Sequence, residues 1–149
     1  MAQQYLEFTH DKFSFRVDTS CLYHTAETWA RDRDGVIVVG VTDFLQINSG
    51  DVVFIEVSEA GTAVAQGGVI GTIETIKTTV TIISPVSGEI IETNEIIATE
   101  PEQINADAYG TGWLIKVQPS DWKQEQSQLL SAEAYFPLMV DKVQQAGEK

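Results

Sequence analysis

One cation stands alone in the run Ile73 to Val80, IETIKTTV, where Lys77 sits among strand-forming Ile, Thr and Val, with Glu74 three residues before it. A lysine at the apex of a tight turn between two strands projects its amine into solvent without a partner, which makes that amine a good substrate for acylation. The same placement also serves solubility, and the residue by itself does not separate the two uses.

Other reactive groups are sparse. Cys21 and His24 lie three apart and could act as nucleophile and base, but so short a segment rarely positions both; a buried thiol beside a surface imidazole is the plainer reading. The histidines are His10 and His24. No H-E-x-x-H pair, G-x-S-x-G elbow, P-loop or dinucleotide glycine signature accompanies them. The residues therefore give little support to an enzyme that completes a reaction alone.

The elements that must carry Lys77 are short and β-rich. GVIVVGVT, DVVFIEV, VIGTIETI, TTVTIISP, GEIIETN and GWLIKVQP recur between Gly, Asn, Asp or Pro. Such spacing predicts a small barrel or sandwich rather than a βαβ protein. Asp34-Gly35 is a hairpin turn, Gly61, Gly67 and Gly68 suit positive φ, and Pro85 with Gly88 reverses the chain. Thr99, Pro101 and Glu102 read as a capping box opening one or two turns of helix. A second helix is predicted from Ser120 through Leu130, with Trp122, Leu129 and Leu130 as its apolar stripe. Pro137 is expected to break or kink a helix-prone tail. GDVVFIEV and GEIIETNE echo each other, as two similar halves of a barrel would, although chance likeness between strands competes with that reading.

Composition narrows the partners. Nine Lys plus Arg against 22 Asp plus Glu give a net charge of -13, which repels nucleic acid and anionic membrane surfaces alike. Acidity of this kind serves solubility or steers the protein toward basic partners. With one cysteine there is no intrachain disulfide and no thiolate cluster, so a reducing compartment is expected. MAQQYLEFTHDKF carries no apolar signal core and no later run is long enough to span a bilayer, so a cytoplasmic location is expected. At 149 residues, one domain with modest terminal additions is expected.

The segment GTIETIKTTVTIISPVSGEIIETNE resembles the lipoyl-attachment region of the glycine cleavage system H proteins. Glu74 and Lys77 match the family's acidic residue and modified lysine, and Pro85, Val86, Ser87, Gly88, Glu89 and Asn94 match its return strand. VGVTDFLQINSGDVVFIEV from Val39 and INADAYGTGWLIKV from Ile104 are similar to two further family segments. The resemblance implies a mainly β, lipoyl-domain-like barrel-sandwich hybrid with short flanking helices, including a C-terminal one. Residues 1–22 would form an N-terminal extension, 23–136 the H-protein-like lipoyl domain and 137–149 a C-terminal tail.

It further implies a non-catalytic carrier subunit with lipoic acid joined covalently to Lys77, and with Glu74 recognised by the lipoylating enzyme. That enzyme would be a lipoate ligase or a lipoyl or octanoyl transferase. The arm would shuttle an aminomethyl group among glycine decarboxylase, aminomethyltransferase and dihydrolipoamide dehydrogenase. Several positions depart from the family pattern. Glu27-Thr28-Trp29 stands for His-Glu-Trp, Ala108 replaces a proline, and Thr78 to Ile83 lacks the usual serine, aspartate and tyrosine. These departures open two alternatives. One is a resemblance to the lipoate-binding proteins of sulfur oxidation, which carry sulfur for heterodisulfide-reductase-like partners; the other is a non-lipoylated interaction module of the same fold.

Overall fold

Residues 4–147 are described by a computed structural model of the chain. An antiparallel hairpin opens it, β1 (Tyr5–His10) with β2 (Phe13–Asp18). A six-stranded sheet follows. In chain order its strands are β3 (Leu22–His24), β4 (Thr28–Arg33), β5 (Val36–Val41), β7 (Ala63–Val64), β10 (Gly88–Thr93) and β11 (Ile115–Pro119); in space they run β3-β4-β5-β11-β10-β7. A three-stranded sheet, β6 (Val52–Val57), β8 (Val69–Thr75) and β9 (Thr79–Ile83), packs against it in the order β6-β8-β9. Neither sheet closes on itself, so the arrangement is the expected mainly β sandwich hybrid rather than a closed barrel. The echoing strands β6 and β10 fall in different sheets.

Two cores hold the layers together. Period-two apolar residues fill the first, with Ile37, Val39 and Val41 of β5 meeting Ile70, Ile73, Ile82, Ile90, Ile115 and Val117, all shielded from water. The second is aromatic. Tyr23 stacks on Tyr135 with ring centroids 4.4 Å apart, and Trp29 lies over Tyr109 at 5.8 Å. Trp29 also donates its indole N–H to the Val41 carbonyl at 2.9 Å. Its ring occupies the space where Gly40 has no side chain: a Cβ at that position would stand 2.3 Å from Trp29 Cζ2.

The helices depart from expectation in instructive ways. Helix α1 (Asp43–Ser49) is capped by Thr42, whose hydroxyl accepts the Leu45 N–H. Thr99 ends helix α2 (Glu95–Thr99) instead of starting one. Asn94 caps that helix from the end of β10, because its Oδ1 accepts the Ile96 N–H while its Nδ2 is held by the Thr111 and Trp113 carbonyls. Helix α3 (Gln103–Ala106) follows without a side-chain cap. The helix expected from Ser120 to Leu130 is only α4 (Trp122–Glu125) and one 3₁₀ turn, since Leu130 exchanges backbone hydrogen bonds with Tyr23 and so extends away.

Pro137 does not end the C-terminal helix α5 (Ala132–Gly147), which runs through it and across the boundary expected at residue 136/137. Ala132, Tyr135, Met139 and Val143 are buried in the aromatic core, whereas Pro137 and Glu133 face water, so the carbonyl that loses its donor is solvated. Asp34 and Gly35 both take positive φ in the β4–β5 turn, as do Gly61 and Gly67 in theirs, but Gly68 does not.

Residues 1–3 and 148–149 of the expected extension and tail lie outside the described residues. No helix among the described residues is long and apolar enough to cross a membrane.

Candidate functional site

Strands β8 and β9 form a hairpin whose connection is Ile76-Lys77-Thr78. Lys77 stands at its apex, exposed, and its amine makes no hydrogen bond or ion pair among the described residues. Glu74 is exposed on the outer face of the sheet, opposite Phe54 on one neighbour and Thr79 on the other. The two residues singled out from sequence therefore share one hairpin.

What fixes the apex is the hydroxyl of Thr75. Its Oγ1 accepts the backbone N–H of Lys77 at 3.2 Å and of Thr78 at 3.0 Å, and donates to the Ser49 carbonyl at 2.6 Å. The Thr75 N–H closes the turn on the Thr78 carbonyl at 2.8 Å, and Ile76 N–H reaches the Asp51 carbonyl at 3.1 Å. The segment Ser49 to Asp51 is thus the floor of the hairpin tip. Gly50 lies against it with φ of 96°, and a Cβ there would approach Lys77 Cγ to 3.3 Å.

That floor is itself tied down from far along the chain. Asn105 on α3 donates to Gln46 Oε1 at 3.0 Å and to the Gly50 carbonyl at 3.2 Å, and accepts the Val52 N–H at 2.8 Å. No sequence motif pointed to Thr75 or Asn105 in these roles. A Thr two residues before an apex lysine is the local signal that could have, whereas Asn105 lies in the family-like segment from Ile104 without any sign of this role.

A cleft of about 250 Å³ opens beside Lys77, walled by Phe13, Phe15, Phe44, Ile47 and Val143. The opening hairpin, α1 and α5 each contribute to it. Helix α5 is held in place through Glu27, a buried residue with φ of 72° whose carboxylate accepts from the Thr42 hydroxyl (2.6 Å), the Lys142 ammonium (2.6 Å) and the Tyr135 hydroxyl. Burial, reinforced by Glu27, pushes the Tyr135 hydroxyl far above its ordinary range, so it remains a donor. Glu27 is one of the departures from the family pattern, and here it clamps the last helix.

The departures after Lys77 keep the strand intact. Val80 turns toward the first core, and Thr81 pairs across the sheet with Thr72.

Cys21 and His24 are not brought together. Burial raises the Cys21 thiol to about 12, which leaves it protonated and inert, and the half-buried His24 uses Nδ1 to accept the Ala26 N–H at 3.0 Å. Burial also lowers the His24 pKa. Among the described residues, no group of three or more His, Cys, Asp or Glu could hold a metal ion.

Known proteins share this architecture. The sequence model of the family described as Glycine cleavage H-protein matches residues 21–142. A probable glycine cleavage system H protein of Aeropyrum pernix is 39% identical over 135 residues, spanning 91% of this chain and 94% of the relative. The glycine cleavage system H protein of Alcanivorax borkumensis is 44% identical over 113 residues, spanning 76% of this chain and 88% of the relative. In three dimensions, the crystal structure of a glycine cleavage system H protein from Mycobacterium marinum superposes with a TM-score of 0.70 at 32% identity, covering 78% of this chain and 94% of that one. The matched span includes both sheets and the hairpin bearing Lys77, and on these grounds the chain belongs to the glycine cleavage H-protein family.

Proposed function

We propose that this protein is a lipoyl carrier of glycine cleavage, with lipoic acid amide-linked to Lys77 and Glu74 read by the enzyme that attaches it. The observation that carries the reading is the apex itself: a free amine on a backbone immobilised by Thr75, next to an apolar cleft. A rigid anchor and a mobile arm together raise the concentration of the reactive group at each partner. When bound, the lipoyl group supplies a disulfide whose S–S bond can be opened by an electron pair, leaving one sulfur to carry a one-carbon amine fragment and the other as a thiol.

The chain's own residues fit such a group. Acylation forms a C–N bond from Lys77 Nζ to the carboxyl carbon and breaks that carbon's bond to its leaving group, while the ammonium gives up two protons to solvent or the leaving group, so the lysine's charge is lost. The arm then has an apolar wall within reach, in Phe13, Phe44 and Ile47. Residues 23–136 carry this unit, His10 to Phe15 of the extension supply one wall of the cleft, and Val143 and Ala146 of the tail supply another. The reading places the protein in the cytoplasm, working with glycine decarboxylase, aminomethyltransferase and dihydrolipoamide dehydrogenase.

Intact-mass measurement after incubation with a lipoate ligase tests the attachment. Wild type should gain one amide-linked lipoyl group and Lys77→Arg none; a labelled Lys77→Arg variant overturns the assignment. Glu74→Ala should be modified more slowly, and equal rates remove Glu74 from recognition. Failure of the lipoylated protein to turn over with glycine decarboxylase and glycine, where an established H protein succeeds, rejects the glycine assignment.

A further inference from the structure

A second concave surface shares no residue with the cleft beside Lys77. Strand β6 and helix α2 enclose a groove of about 580 Å³, walled by Phe54, Val57, Ile97 and Ala98 and rimmed by Glu56, Glu59 and Glu95. No lysine, arginine or histidine lines it. In its lining Phe54 is 52% exposed, and two chain neighbours of lining residues, Val53 at 53% and Ile96 at 47%, also stand open to water. Apolar surface gathered in this way, with charge of one sign at its edge, marks a place where another protein binds.

The groove is continuous with the Lys77 hairpin. Phe54 is the cross-strand neighbour of Glu74, and Glu74 that of Thr79, so one sheet face runs from the groove to the root of the apex. From Glu74 to Lys77 is three residues, roughly 10 Å of chain. A partner burying about 800 Å² on this face would cover both.

Resting on the reading of Lys77 as the acylated residue, we propose that the groove docks the enzyme that loads it. That enzyme rests an apolar side chain between the exposed Phe54 and Ala98, above the buried Ile97, flanked by Lys or Arg side chains that pair with Glu56, Glu59 and Glu95. Reach selects this occupant among proteins, because the loading enzyme must touch the bare Lys77 amine at the end of this sheet face, whereas later partners meet the far end of an attached arm; charge excludes the rest. A second copy of a chain with net charge -13 would set like-charged rims against each other, and nucleic acid or an anionic bilayer would be repelled in the same way.

Two variants test the proposal by different means. Ala98 is exposed, so Ala98→Arg obstructs the groove without entering the core, and Glu56→Gln/Glu59→Gln/Glu95→Gln removes the rim charge while preserving shape. With a purified lipoate ligase and intact-mass detection, each variant should raise the KM for the protein at least tenfold with kcat within twofold. The triple variant should also lose most of the salt dependence of wild-type KM. Interferometry of the ligase on the unreactive Lys77→Arg protein should show a matching tenfold loss of affinity when Ala98→Arg is added. Circular dichroism confirms that the variants are folded. Wild-type KM in both folded variants and undiminished affinity with Ala98→Arg, with Lys77 still labelled, overturn the groove alone. No label on wild-type Lys77 overturns the attachment reading and the docking that rests on it.

Discussion

Thr75 shows how much a single oxygen can organise. It holds two consecutive N–H groups of the turn and hands its own proton to the Ser49 carbonyl, so the apex is tied both to itself and to its floor. Valine has nearly the same shape but none of these bonds. A net loss of about 1 kcal/mol per hydrogen bond predicts that Thr75→Val speeds amide exchange at Lys77 and Thr78 about fivefold or more. Global stability should change far less than apex exchange, and Thr75→Ser should restore protection. Unchanged exchange in Thr75→Val would show that the strands alone fix the turn.

At the scale of elements, β4 and β5 depend on one close approach. Gly40 leaves the room that Trp29 fills, and a methyl group there must displace either the indole or the strand. Gly40→Ala is expected to cost about 1–3 kcal/mol in urea unfolding, as overpacked cores do. Adding Trp29→Phe should recover part of that loss, because the two residues are in contact.

Much at this scale was legible in the sequence. Asp34-Gly35 between two apolar runs specifies its hairpin, whereas the turn at Lys77 is implied by the resemblance to the H proteins and not by alternation. The helix starts were harder, since Asn94 and Thr99 are both good caps, and the choice falls to the carbonyls of Thr111 and Trp113 that only the folded chain brings to Asn94. Pro137 misleads for a related reason: what matters is the face it occupies, which its neighbours in the core decide. The cleft and the floor of the apex were not legible at all, because their residues come from positions scattered between 10 and 146.

The whole molecule is stitched by buried charge. Asp18, at the end of the opening hairpin, is fully buried and accepts from Arg31 Nη2 at 2.8 Å, while Arg31 also donates to the Tyr109 carbonyl at 2.8 Å. Arg16, from the same strand, reaches Asp43 on α1, and the Tyr109 hydroxyl donates to the Arg16 carbonyl at 3.0 Å. These links join the opening hairpin to the six-stranded sheet and to α1, although the matched family span begins only at residue 21. Asp18→Asn leaves a buried guanidinium without its carboxylate. A destabilisation of about 3–5 kcal/mol, or roughly 6–20 °C in Tm, is expected by calorimetry. A Tm within 2 °C of wild type, on the order of 1 kcal/mol or less, would show the hairpin to be an ornament on the fold.

Asn105 has a further consequence, which concerns time. During synthesis Lys77 emerges well before Asn105, yet the floor beneath Lys77 is pinned by Asn105 through Gly50, Gln46 and Val52. A nascent chain cut short of α3 has its lysine but not the finished platform. An enzyme that recognises the shaped apex, rather than a lysine in a linear peptide, must wait until residue 105 of the 149 has left the ribosome. On the proposed attachment, the chemistry at residue 77 is licensed from residue 105, and a label there would report that folding has reached that point.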